Sequence, residues 1–250
     1  DLNVISRLQN ETEEAYSIIK QSKSIPIPRL DSLNNSLRRL KIGASLNGLE
    51  ISQVGKVLST ARQIGNFFED LAAEDKFFPN LSEWSDQVVV LPDIEKLIQV
   101  SIAEDGSVLS SASTKLAQIR RNQSNTENQV RTQLNQLLKN KANELSDSLI
   151  TMRNGRYVLP VKAEYRHRFG GTVHDQSSTG QTLYIEPQSI VQLNNKRSEL
   201  QVEEQREIEV ILNDISMQLA PFQAHIALNQ TVKEFKADEN GKVNKVVTSE

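Results

Sequence analysis

The sequence has no cysteine and few aromatic residues. None of its 250 residues is Cys, and only 5% are Phe, Trp or Tyr. The first absence excludes disulfide bonds and cysteine-based zinc sites and favours a reducing compartment, so we expect a cytoplasmic protein. The second, together with abundant Leu, Ile, Gln, Asn, Glu and Arg, indicates an extended helical protein rather than a compact β-rich one.

Long apolar runs and nucleotide-binding motifs are also missing. No segment approaches the roughly 20 apolar residues of a membrane span, so we expect no membrane partner. Neither a G-x-x-x-x-G-K-S/T loop nor a Gly-rich dinucleotide fingerprint occurs, and we expect no cofactor bound by this chain. The chain begins at Asp1 without an initiator Met or a signal-peptide pattern, which predicts a piece of a longer chain.

The net charge of −3 argues against a protein that is basic all over. What steers a polyanion, however, is the local field rather than the total charge. Within 153–168 one acidic residue, Glu164, stands against five basic ones, which gives a local balance of +4 with His167 beside them. These five are Arg153, Arg156, Lys162, Arg166 and Arg168.

Residues 1–112 are predicted to form a helical core domain, because apolar residues recur there at helical spacing between Pro and Gly breaks. Asp31 is the expected N-cap of the second helix. The third helix contains Gly55 and Gly65, each of which weakens a helix by up to about 1 kcal/mol. We therefore expect close packing against neighbours at both glycines. This region contains no candidate chemistry.

Two long stretches, 114–149 and 188–219, contain neither Gly nor Pro. Their apolar residues keep helical spacing but are too sparse for either helix to be stable alone. The simplest arrangement that would stabilise both helices is an antiparallel coiled coil, in which the narrow apolar seam of each helix packs against that of the other. At 1.5 Å per residue, each arm would be roughly 45–50 Å long. We assign 113–150 and 188–228 as ascending and descending lever helices.

A small sheet is predicted between the arms, over residues 151–187. Residues 156–166 alternate between apolar or aromatic and charged side chains, which predicts one strand with a buried and a wet face. Pro160 predicts an edge strand or a bulge at this position. Two further strands are expected at 172–174 and 181–185. The fold class is therefore mainly α with a small antiparallel β-sheet at the tip of a coiled-coil lever.

The tail, 229–250, stays unassigned. It is polar and of mixed charge, and Asn240-Gly241 is a turn dipeptide typical of a hairpin.

The basic segment has two interpretations. Arg and Lys on a rigid sheet are suited to contact phosphates of a nucleic acid. Alternatively, they form a solvated strand face while aromatic residues fill a small core, and Tyr157 and Tyr165 are predicted to be core residues. His174 and Asp175 do not indicate a catalytic relay with the following serines, because adjacent strand residues point to opposite faces. Asp175, Gln176 and the Ser and Thr hydroxyls that follow are instead expected to organise the turn.

Three segments carry a family resemblance: 111–120 (SASTKLAQIR), 153–162 (RNGRYVLPVK) and 173–187 (VHDQSSTGQTLYIEP). They resemble the second bacterial branch of the MutS family, the paralogue that usually carries a carboxy-terminal Smr domain. The resemblance covers residues 1 to about 230. It implies a helical core, an ascending lever helix, a β-clamp and a descending lever helix, followed elsewhere by a dimerising ATPase that uses ATP and Mg.

The resemblance also implies a function. In this family, clamps of two subunits close around DNA, and the branch is associated with control of recombination, with branched DNA and with stalled ribosomes. By that carry-over, 153–181 is expected to face the polyanion, which is duplex or branched DNA or ribosomal RNA. The expected contacts are Arg153, Arg156, Lys162, Arg166, His167, Arg168, His174 and Gln176.

The leading hypothesis is thus a nucleic-acid-binding clamp and lever without catalytic activity of its own, from a parent that is an ATPase and, through Smr, an endonuclease. The alternative is a protein-assembly module in which the helical arms pair with another subunit or dock on a ribosome. The overall negative charge and the sparse apolar seams favour this second hypothesis.

Overall fold

Helices make up most of the chain in the computed structural model, which describes residues 2–21, 23–228, 232–237 and 243–248. The helices are α1 Leu2–Lys20, α2 Asn34–Lys41, α3 Gly48–Ala73, α4 Pro79–Asp86, α5 Pro92–Ser101, α6 Thr114–Asn140, α7 Arg166–Phe169, α8 Val191–Leu219 and α9 Gln223–Leu228. The strands are β1 Thr151–Arg153, β2 Arg156–Lys162, β3 Thr172–Gln176, β4 Thr182–Glu186, β5 Val232–Ala237 and β6 Val243–Thr248. The predicted fold class, mainly α with a small antiparallel sheet, is confirmed.

The chain divides into two compact units. The first contains residues 1–112 and 210–250, and the second contains residues 113–209. The finer division into core, two levers, clamp and tail stays a prediction. Among the described residues, no helix combines the length and the apolar composition of a membrane span.

In the first unit, α2 begins later than the sequence predicted. The predicted Asp31 cap is wrong, because α2 begins at Asn34 after the fully buried Leu33. Asp31 instead accepts a hydrogen bond from Gln53 at 3.3 Å. The close packing expected at the glycines of α3 is found at Gly55, where an added Cβ would lie 2.7 Å from Ile98.

The same expectation is wrong for Gly65, which has no neighbour within 4 Å of the position that a Cβ would take. After α9, β5 and β6 pair as antiparallel strands. The Asn240-Gly241 dipeptide lies outside the described residues.

In the second unit, α6 and α8 pack side by side in opposite directions. Ser113 donates to Glu207 at 2.8 Å, and Arg120 donates to Glu204 at 2.7 Å. Further along α6, Gln123 donates to the carbonyl oxygen of Leu200 at 3.2 Å. Residue numbers rise along one helix as they fall along the other, so the predicted antiparallel arm is confirmed.

The arm helices are shorter than predicted at their sheet end. α6 ends at Asn140, and α8 begins only at Val191, after a 3₁₀ turn at Gln188–Ile190. The prediction of helix through 149 is wrong because Leu145 is buried and forms a β-bridge with Val161. Sheet pairing therefore takes this apolar residue out of the helix.

Four antiparallel strands, in the order β1-β2-β4-β3, form the sheet where three were predicted. The missing one, β1, joins β2 through Asn154 and Gly155, whose φ angles are 51° and 75°. Positive φ at both central residues is the condition for the tight hairpin turn whose twist matches that of its strands.

The alternating strand predicted for 156–166 is wrong. β2 ends at Lys162, a 3₁₀ turn covers Ala163–Tyr165, and α7 follows. Residues 157–161 are all buried, so the middle of the strand has no solvent-exposed face. Pro160 is not at an edge, since it pairs with Tyr184 on one side and its carbonyl accepts from the Ser146 amide on the other.

The core beneath the sheet joins it to both arm helices. Tyr157 is buried within it, as predicted, whereas Tyr165 is only partly buried and packs against it from the 3₁₀ turn. The buried members of this core are Val130, Leu134, Leu145, Tyr157, Leu159, Val161, Phe169, Ile185 and Ile190.

Acid should weaken the arm, because two of its interhelical carboxylates have lowered pKa values. Lys115 and Ser113 lower the pKa of Glu207 by hydrogen bonding. Burial raises the pKa of Glu204, but hydrogen bonds from Arg120 and Gln123 outweigh it, and the net shift is downward. The two carboxylates therefore stabilise the arm above the pKa of about 4.3 that a Glu has in the unfolded chain. This stabilisation is lost as the pH falls through their lower pKa values in the folded protein.

We expect E204Q/E207Q to lower the free energy of unfolding at pH 7 by about 1–3 kcal/mol, since hydrogen bonds to charged groups contribute that much. Urea titration followed by circular dichroism at pH 7 and pH 3.5 measures it. The difference between parent and variant should shrink at pH 3.5. The control is E199Q/E203Q on the exposed face of α8. An equal loss in the control at pH 7 would contradict the assignment.

Candidate nucleic-acid interface

Seven of the eight predicted contacts, five Arg or Lys residues and two His residues, fall into two groups around β2. Arg156 begins this strand and Lys162 ends it, so their Cα atoms lie about 20 Å apart at 3.3 Å per residue. We call Arg153, Arg156 and His174 the hairpin group. We call Lys162, Arg166, His167 and Arg168 the α7 group.

Arg153 of the hairpin group is held on the sheet by three kinds of contact. Its Nε donates to Asp175 Oδ2 at 2.9 Å, and its Nη1 donates to Thr151 Oγ1 at 3.0 Å and to the Met152 carbonyl oxygen at 2.9 Å. Its guanidinium carbon lies 4.0 Å from the centroid of the Tyr184 ring. The side chain is about one-third exposed, so it can still be reached from solvent.

Arg156 and His174 share one buried carboxylate. Glu186, whose side chain is 4% exposed, accepts from Arg156 at 3.1 Å and lies 2.7 Å from His174 Nε2. Asn194, which is fully buried at the start of α8, donates to Glu186 at 2.8 Å. Arg156 also donates to Asn195 at 2.7 Å. The charge of Arg156 is therefore compensated inside the unit.

The α7 group is more open. Arg166 and His167 are exposed, and neither has an ion-pair partner among the residues that the structure describes. Arg168 is 65% exposed while it contacts Glu144 at 3.1 Å. Lys162 donates to the carbonyl oxygen of Asn143 at 2.8 Å and keeps its charge uncompensated by that contact.

A buried aromatic residue fixes α7 in place. Phe169 is 7% exposed in the core beneath the sheet, and the Lys141 ammonium lies 4.4 Å from the centroid of its ring. The ammonium of Lys141 also lies 3.9 Å from a Glu144 carboxylate oxygen. Phe169 thus anchors the four-residue helix on which Arg166, His167 and Arg168 lie.

Gln176, the remaining predicted contact, is exposed at the end of β3. Asp175 was expected only to organise the turn, and its Oδ1 does accept from the Gln176 amide at 2.8 Å. The ion pair to Arg153 adds a role that was not foreseen. Ser177 Oγ accepts from the Thr182 amide at 3.1 Å, so a hydroxyl closes this turn as predicted.

Sequence reasoning missed Lys141, Glu144, Glu186 and Asn194. Lys141 and Glu144 precede the basic segment in the sequence. They lie near α7 only because α6 ends beside it. Glu186 and Asn194 carry a weak signal, since a carboxylate and an amide near apolar residues indicate buried polar groups that need partners. The neighbouring sequence does not indicate which residues those partners are.

The sheet is also tied to the arm through Tyr157. Its hydroxyl donates to Glu127 of α6, which also accepts from Arg131 at 3.0 Å and lies 3.6 Å from Arg197 of α8. Burial and the Glu127 carboxylate both raise the pKa of the Tyr157 hydroxyl, so this hydroxyl remains a proton donor at neutral pH. The network fixes the sheet against both helices.

These features define a class of protein in which a two-helix antiparallel arm carries a small antiparallel sheet with basic residues. No protein-family model matches the chain. Three curated bacterial relatives share the name Endonuclease MutS2. The Enterococcus faecalis relative is 42% identical over 233 residues, which are 93% of this chain and 30% of the relative.

The Listeria innocua relative is 49% identical over 222 residues, and the Latilactobacillus sakei relative is 43% identical over 221. Each alignment covers 88% of this chain and 28% of the relative. The chain belongs to the MutS2 family. It spans less than a third of the length of the relatives that it matches.

The buried carboxylate of Glu186 should stabilise the sheet. We expect E186Q to lower the free energy of unfolding by about 2–4 kcal/mol, because it leaves the guanidinium of Arg156 without its buried partner. Urea denaturation at pH 7 measures this. The matched control is E164Q, which removes an exposed carboxylate and should change stability by less than about 0.5 kcal/mol. Equal stability of E186Q and parent would refute the role of Glu186.

Proposed function

We propose that this chain contacts the phosphate backbone of nucleic acid through the α7 group, at the end of its helical arm. The observation that carries this proposal is the exposure of Arg166, His167 and Arg168 on a helix anchored by Phe169. Phosphate contacts in nucleic-acid complexes come mainly from Arg and Lys, and they position the protein without reading sequence. Binding is therefore expected to be independent of base sequence.

The hairpin group contributes less in this proposal. Arg156 and His174 face the buried Glu186, and Arg153 faces Asp175. Each of these side chains already interacts with a carboxylate, so it is less available to a phosphate. Gln176 adds a neutral hydrogen-bonding side chain at the end of β3.

The role of the whole protein follows from the family as a further proposal. Relatives that carry the name endonuclease support a parent enzyme. We propose that this chain is its nucleic-acid-binding part and has no catalytic activity of its own. The parent is proposed to be a homodimeric ATPase that uses ATP and Mg, acting in control of recombination or repair or in ribosome rescue. The ligand is then duplex or branched DNA, or ribosomal RNA.

Charge reversal of α7 tests the contact. We expect R166E/R168E to weaken binding of the chain to duplex DNA by at least about tenfold at low salt, since two phosphate contacts become repulsive. The slope of log affinity against log salt should fall by roughly 0.9 for each lost phosphate contact. Fluorescence anisotropy with a labelled duplex over a salt series measures both quantities.

The matched control is R121E/R206E, which reverses two exposed arginines on the arm helices with the same change in net charge. It should reduce affinity only slightly. An equal loss in both variants would show that total charge, not α7, governs binding.

A competition series identifies the ligand. Duplex DNA, a four-way junction and ribosomes should be compared at one ionic strength as competitors for the labelled duplex. Backbone contacts carry no information about base sequence. A difference in affinity among the three competitors would therefore report recognition of their shape. If no competitor displaces the probe, specific gripping of nucleic acid is ruled out.

A second candidate function, assembly with another copy of this chain, is favoured by α1. Residues 2–10 of this helix are all exposed, and they include Leu2, Val4, Ile5 and Leu8, each more than half exposed. Clustered exposed apolar side chains mark protein-interaction sites. We therefore propose self-association through α1 as the alternative.

Light scattering over a concentration series tests this alternative. We expect the mean mass to rise with concentration for the parent and to stay constant for I5D/L8D, because charges on α1 oppose burial of this face. The control I42D changes another exposed apolar residue, which is 76% exposed. Constant mass for the parent at all concentrations would eliminate assembly through α1.

A further inference from the structure

We propose that Arg153 is a further phosphate-binding residue outside the α7 group, and that the carboxylate of Asp175 occupies the place of the phosphate until nucleic acid displaces it. This inference rests on the proposed function and extends it. It assigns Asp175 as a residue that sets affinity by competing with the ligand for one guanidinium.

The guanidinium of Arg153 is already positioned for an anion. It lies 4.0 Å from the Tyr184 ring centroid, and its Nη1 is used by Thr151 and by the Met152 carbonyl oxygen. These contacts come from protein groups that an arriving phosphate would leave undisturbed. A guanidinium held on an aromatic face loses little conformational freedom when it binds an anion.

One edge of the guanidinium is available for exchange. Nε donates to Asp175 Oδ2 at 2.9 Å, and Nη2, on the same edge, has no hydrogen-bond partner among the described residues. Asp175 thus takes one of the two donors on that edge. A phosphate has enough oxygens to accept from both at once, which is the geometry that Arg prefers for phosphate and carboxylate.

The ion pair with Asp175 is weak enough to be exchanged. The Asp175 side chain is 47% exposed and that of Arg153 is 34% exposed, and exposed ion pairs are typically weak. The pair of Arg156 with Glu186 differs, because Glu186 is 4% exposed and also bonds Asn194. Breaking it would leave a buried carboxylate, so only Arg153 in the hairpin group is suited to change partners.

Two explanations predict tighter binding when Asp175 loses its charge. Either Asp175 competes for Arg153, or it simply repels the polyanion. They differ in one respect: competition requires Arg153 to be present, whereas repulsion acts whether or not it is there. A double-mutant cycle on these two residues separates them.

The experiment compares duplex binding of the parent, D175N, R153Q and R153Q/D175N at low salt by fluorescence anisotropy. D175N should bind up to about fivefold tighter than the parent, which is the strength of an exposed ion pair. In the R153Q background, the D175N substitution should strengthen binding no more than a control substitution, D147N, does. D147N removes an exposed carboxylate in the same unit and reports the effect of charge alone.

Thermal unfolding of each variant accompanies the binding data, and D175N should melt within a few degrees of the parent because the pair is exposed. Equal gains from D175N in both Arg153 backgrounds, or equal gains from D175N and D147N, would overturn the competition. If binding still depends on salt and on Arg166 and Arg168, the proposed function survives that result. If neither the parent nor D175N binds the duplex, both proposals fail.

Discussion

The carboxylate of Glu186 is the group around which the sheet-bearing unit is organised. A charge that is removed from water is tolerated only when hydrogen-bonding partners replace the water. Arg156 of β2, His174 of β3 and Asn194 of α8 supply those partners. Because each comes from a different element, satisfying one carboxylate fixes two strands and a helix relative to β4.

The same constraint decides which basic side chains lack a carboxylate partner among the described residues. Carboxylates from outside the basic segment compensate Arg156, Arg153 and, in part, Arg168. Arg166 and His167 project from a helix whose own anchor, Phe169, is apolar. The local charge of a sequence segment therefore overstates the charge that the folded surface presents.

The arm gives this surface its support. Glu204 and Glu207 of α8 hold Arg120 and Lys115 of α6, and these interactions join two helices whose apolar seams are sparse. At the sheet end, Glu127 holds the Tyr157 hydroxyl. Interhelical ion pairs and hydrogen bonds thus supply part of the stabilisation that a wider apolar seam provides in a conventional coiled coil.

The sequence alone determined the class of fold, the antiparallel arm and the family, because helical periodicity, the absence of Gly and Pro and the 173–187 motif are local properties. The tertiary structure decided which predicted contacts share a surface. The basic segment reads as one patch along the chain, yet β2 separates Arg156 from Lys162, and Asp175 and Glu186 arrive from later strands. The charge of a side chain is encoded locally, but its partner is fixed by strand pairing and burial between residues distant in sequence.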